Sequence, residues 1–107
     1  MTTFDKREEA FENLFVHDEE LKFKAEARRN KMLGLWAAEK LGMSGDAAAD
    51  YSRAVVTAEI DAASDEGVVR KIISDLAAKG VSLSEDELRA RMNELLAAAV
   101  AQIKAGL

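Results

Sequence analysis

Residues that commonly do chemistry are thinly spread in this chain. His17 is its one histidine, and cysteine is absent altogether. A zinc site would have to be built from carboxylates alone, and there is neither a thiolate nucleophile nor a disulfide framework. No repeated Glu-x-x-His pattern supports a di-iron bundle. No Ser-His-Asp set can be assembled, because His17 lies in the least anchored region. Neither a P-loop nor a G-x-G-x-x-G motif occurs. Asp61, Asp65 and Glu66 crowd one stretch without the EF-hand pattern, and read as a solvated loop carrying a helix cap. Lys22, Lys24, Arg28, Arg29 and Lys31 form a basic run that could meet a phosphate, but Glu26 interrupts it and a solvated helix face is the plainer reading. The net charge of −5 argues against nucleic acid as a partner. His17 could sense pH, although an exposed junction residue is the simpler assignment. These residues describe an interaction module rather than an enzyme, with no catalytic residue, cofactor or metal ligand.

The elements that carry them are helical. Six Gly, no Pro and abundant Ala favour helix, and no run alternates in the manner of a strand. Leu41-Gly42 ends one helix, and Ser44 can cap the next with Asp46 in its first turn. The stretch 62–67 is a second break, with Ser64 or Asp65 as cap. Gly80, followed by Val81 that can touch Leu76, has the form of a Schellman ending. Ser84 and Glu87 then make an S-x-x-E capping box, flanked by Leu83 and Leu88 as the staple. Asp18 opens the first helix. Helices are therefore expected near 18–41, 45–63, 66–79 and 85–105, and their short connections favour antiparallel neighbours in a four-helix bundle.

Apolar spacing assigns a core. The second helix offers Tyr51, Val55, Ala58 and Ala62, and the third Val69, Ile72, Ile73 and Leu76. The fourth offers Leu88, Met92, Leu95, Ala99 and Ile103, with Leu96, Val100 and Leu107 beside them. In the first helix, 32–38 is apolar nearly all round, so Trp36 is expected to be buried. Its first half, with pairs such as Asp18 to Lys22 and Glu20 to Lys24, is able to stand in water. That helix is expected to root in the bundle and project from it. A chain of 107 residues can bury about 65% of its unfolded surface, enough for one such core. No run of about 18 apolar residues would span a membrane, and the start is too charged for a signal peptide. The lack of Cys fits a reducing, intracellular compartment.

The first thirty residues do not match the rest. Residues 1–31 hold 15 of the 35 charged side chains, yet all four Phe, at 4, 11, 15 and 23, lie there too. On a helix over 4–16, Phe4, Phe11 and Phe15 fall within about 40° of one another, with Leu14 on the flank and Lys6, Glu9 and Asn13 opposite. An isolated helix of about 12 residues is marginal in water. Two readings stand: the seam folds back as a fifth helix on the bundle, or it is laid into a partner's groove.

The block Thr2-Thr3-Phe4-Asp5-Lys6-Arg7-Glu8-Glu9-Ala10-Phe11-Glu12, then Phe23-Lys24 and Arg28-Arg29-Asn30-Lys31-Met32-Leu33-Gly34-Leu35-Trp36-Ala37-Ala38, resembles the zeta inhibitor subunits of alpha-proteobacterial F-type ATP synthases. The similarity extends through Asp75-Leu76, Gly80-Val81 and Leu95-Leu96. It implies a four-helix bundle over 18–107 and a mobile, amphipathic inhibitory segment over 1–17. It implies that the segment enters a catalytic α/β interface of the enzyme's soluble head, reaches the central γ shaft, and blocks ATP hydrolysis in the manner of a pawl. The matching contact residues are Phe4, Arg7, Phe11, Leu14 and Phe15. The protein would be cytoplasmic, monomeric when free, and associated with the inner-membrane ATP synthase when bound, without inserting into the membrane. The alternative is a non-enzymatic bundle that senses a nucleotide or metabolite, with Lys22, Lys24 and Arg28 near the ligand.

Overall fold

The computed structural model describes residues 19–62 and 65–107, the side chains of residues 60–62 excepted. Four helices follow one another: α1 (Glu19–Lys40), α2 (Gly45–Ala62), α3 (Asp65–Ala78) and α4 (Glu85–Lys104). Each boundary falls within two residues of its expected place, because the signals that set it are local. At Gly80 (φ 75°), the Val81 N–H donates to the Leu76 carbonyl at 2.9 Å and the Gly80 N–H to Ala77 at 3.0 Å. This is the Schellman arrangement, which a residue with a Cβ adopts only with strain. The end of α1 repeats it, with Met43 N–H on the Ala38 carbonyl at 2.9 Å. At the start of α4, the Glu87 N–H donates to Ser84 Oγ at 3.1 Å. The reciprocal bond differs from a standard capping box: the Ser84 hydroxyl donates to the Glu87 carboxylate at 3.1 Å. The expected caps Asp18 and Ser64 lie outside the described residues.

The helices form an antiparallel four-helix bundle in which α1 packs along both α2 and α4, and α2 along α3. Cross-links show the directions: Arg29 meets Glu59, Arg28 meets Gln102, and Trp36 meets Arg91. The core draws Leu33, Ala37 and Ala38 from α1, Tyr51 and Val55 from α2, Val68, Val69, Ile72 and Leu76 from α3, and Leu88 and Met92 from α4. The expected Leu95 and Ile73 pack against it half-buried, and Ala99 and Val100 are buried farther along α4. Gly34 sets the α1–α2 distance. A Cβ there would lie 2.6 Å from Ser52 Cα, closer than atoms pack, and Ser52 Oγ donates across the same contact to the Lys31 carbonyl at 2.7 Å.

Three burial expectations are corrected. Leu35 is 43% exposed and Trp36 only half-buried, because α2 and α4 flank α1 without enclosing it. Trp36 instead carries Lys40 and Arg91 over its ring, at 4.8 and 5.2 Å from the centroid. Leu107 is 77% exposed, since α4 ends at Lys104 and none of the described residues covers the end of the chain. Ala62 lies outside the residues whose side chains are described.

Candidate interaction site

Phe4, Arg7, Phe11, Leu14, Phe15 and His17 lie outside the described residues. The structure does show the start of α1, which follows them in the chain. The first two turns of α1 present Glu19, Glu20, Lys22, Phe23 and Lys24 to solvent, with Phe23 64% exposed. Beside Phe23 runs an open groove lined by Lys24, Ala27, Arg28, Ile103 and Leu107. Arg28 ties its two walls together: one Nη donates to Gln102 Oε1 at 3.4 Å and the other to the Leu107 carbonyl at 2.9 Å.

The first half of α1 does not project free from the bundle as its charge pattern suggested. Ala25, Arg29 and Asn30 are buried. Arg29, 4% exposed, is the correction to the solvated basic face. Its guanidinium donates to Asp65 at 2.7 Å, to Glu59 at 3.1 Å and to the Asn30 side-chain oxygen at 3.0 Å. One α1 side chain thus ties the end of α2 to the start of α3. Of the acidic stretch, Asp65 reaches this cluster and Glu66 meets Arg89 at 2.6 Å, with both side chains still exposed to solvent, and the side chain of Asp61 lies outside those described. Burial pushes the Glu59 carboxyl up to about 7, with the Arg29 charge opposing and the Asp65 and Glu26 carboxylates adding to the rise. A second, half-buried link joins α2 and α3. There the Tyr51 hydroxyl donates to Asp75 at 2.9 Å, and burial together with that carboxylate holds the phenol above its ordinary value. Sequence spacing missed Arg29 because its partners lie 30 and 36 positions away.

Of the basic run, Lys24 and Arg28 line the groove beside Phe23 and Lys22 does not. Lys24 pairs with Glu20 at 3.2 Å, Arg28 is occupied by the end of α4, and Lys22 points to solvent. Among the described residues no group of three His, Cys, Asp or Glu could hold a metal, and no helix is long and apolar enough to cross a membrane.

The family model for ATPase inhibitor subunit zeta matches residues 1–102. The chain belongs to the ATPase inhibitor subunit zeta family. A solved structure described as the solution NMR structure of a protein is similar in sequence and fold. It is 48% identical with a TM-score of 0.70, and the match covers 81% of this chain and 99% of that one. Among curated proteins nothing matches. The zeta-family match begins at residue 1, so Phe4, Arg7, Phe11, Leu14 and Phe15 all fall inside it.

Proposed function

We propose that this chain inhibits ATP hydrolysis by the F-type ATP synthase, and that residues 1–17 do so by entering a catalytic α/β interface of the soluble head against the γ shaft. The observation that carries the reading is the family match itself, which runs from residue 1 through the aromatic seam and across the bundle. The physical account follows from the two parts. A short amphipathic segment gains its apolar contacts only when a groove receives Phe4, Phe11 and Phe15, and the ordering of the segment offsets part of that gain. The bundle supplies a firm mount. The 22-residue α1 is about 33 Å long, and Arg28, Arg29 and Gly34 fasten it to α4, to α2 and α3, and to α2 respectively. A segment anchored on such a mount resists being turned out of the cleft, which is what a rotating shaft would have to do. Phe and Leu supply desolvated area, and Arg7 supplies a fork for a carboxylate or phosphate oxygen.

The test is a titration of the purified cognate head with the full chain and with a chain lacking residues 1–17, followed by ATP hydrolysis. The full chain should inhibit and the shortened chain should not, while its thermal unfolding stays cooperative. Equal inhibition by both would overturn the role given to the segment.

A further inference from the structure

We propose that the groove of Phe23, Ala27, Ile103 and Leu107, edged by Lys24 and Arg28, is a dock for the chain's own residues 4–16, which hold their aromatic seam there until the partner takes it. The inference goes beyond the inhibitory role; only its kinetic arm rests on that role.

Reach comes first. The segment joins α1 at Glu19, one turn before Phe23, and only Val16, His17 and Asp18 separate Phe15 from that helix. Connections of this length join antiparallel helices in bundles. A reversal at 16–18 would set Phe11 level with Phe23 and Phe4 level with the Arg28 turn, against which the end of α4 lies. The surface chemistry is complementary. Among the described residues the exposed large apolar side chains are Phe23, Leu35 and Leu107, and two of the three line this groove. Apolar area of that kind gains by being covered. Charge agrees. Residues 1–17 carry Asp5, Glu8, Glu9 and Glu12 against Lys6 and Arg7, a net charge of −2. On a helix, Glu8 and Glu12 fall about 40° and 80° from the centre of the seam on one side. They flank the aromatic stripe as Lys24 and Arg28 flank the groove. Lys24 is free to answer them, because its pair with Glu20 is a solvent-exposed one and such pairs are weak.

The dock competes with the partner for one set of side chains. A segment held in cis is withdrawn from binding, so apparent affinity falls by the fraction left free. The contact is shallow, and the core beneath it does not depend on it.

The experiment uses the full chain. Its lack of cysteine lets Thr3→Cys carry a single nitroxide at the far end of the segment, away from the seam. Backbone amide signals of Ala27, Arg28, Ile103 and Leu107 should lose more than half their intensity. Those of Leu41 and Val81, at the opposite end of the bundle, should keep theirs. Phe23→Ser in the labelled chain should restore the lost signals without unfolding a protein in which Phe23 is solvent-exposed. Broadening that is absent, spread evenly, or indifferent to Phe23→Ser overturns the dock. In the ATP hydrolysis titration, Phe23→Ser should lower the half-inhibitory concentration roughly fivefold by releasing the segment. A raised value assigns the groove to the partner and an unchanged one denies competition, and either overturns the proposal. If the parent chain fails to inhibit, the inhibitory role falls, and the nitroxide measurement still decides the dock.

Discussion

Glu59→Gln probes the buried cluster that joins α1, α2 and α3. The Glu59 side chain is 17% exposed and lies 3.1 Å from Arg29, whose guanidinium also meets Asp65 at 2.7 Å. Two carboxylates thus share one cation, and burial raises the Glu59 carboxyl from 4.5 to about 7. The sign follows from proton linkage. The folded chain holds this proton more tightly than the unfolded chain does. Its contribution to stability is therefore complete below about 4.5 and is lost as the pH rises through about 7. A shift of this size corresponds to about 3 kcal/mol at most. Glutamine keeps an oxygen that can accept from Arg29 but never ionises. At pH 8 the variant should exceed the parent by about 1–3 kcal/mol, and the two should converge below pH 5. The competing effect is loss of the charge that faces a buried cation, which costs about 3–5 kcal/mol when the cation is left alone. Here Asp65 remains on the same guanidinium, so desolvation of Glu59 wins. Urea melts of both chains between pH 4.5 and 8 measure the difference, and subtracting the parent removes the titration of the other carboxylates. A variant less stable than the parent at pH 8, with an unchanged pH profile, would show that Arg29 needs both charges and refute the reasoning.

Three further outcomes are expected. Phe11→Ala removes the middle of the aromatic seam, where a receiving groove desolvates it most, and a loss of about 2 kcal/mol should raise the half-inhibitory concentration roughly thirtyfold, with Glu9→Ala as the milder control in the same titration. Gly34→Ala places a Cβ 2.6 Å from Ser52 Cα; α1 and α2 must part, and thermal melts should show a loss of about 1–3 kcal/mol. Trp36→Ala should cost about 1–2 kcal/mol in urea melts rather than the ~3–5 kcal/mol of a fully enclosed aromatic, since solvent and the Lys40 and Arg91 cations already share its surface.

The helix boundaries and most of the core were legible from residue order. Gly42, Gly80 and the Ser84–Glu87 pair act on backbone groups within a few residues, so their effect needs no knowledge of the rest of the chain. The stripe of Val69, Ile72 and Leu76 is equally local, because any helix that carries it has one face to bury. The contrast between a highly charged first segment and its four Phe is also a property of order alone, although it leaves open whether the bundle or a partner receives the aromatic seam.

Where each helix turns its remaining faces was settled by the assembly. Residues 32–38 are apolar almost all round, and spacing could not say which of them would meet water. That depended on α2 approaching at Gly34 and α4 at the other flank, which leaves Leu35 outside and Trp36 at the edge. The same limit applied to Arg29. Its charge pattern within α1 is that of a solvated residue. Its burial follows from Glu59 and Asp65 arriving at one point from helices that are distant in the chain and adjacent in space. A charge can leave water when opposite charge and hydrogen-bond acceptors replace its hydration, and only the packed bundle brings those groups within 3.1 Å of it.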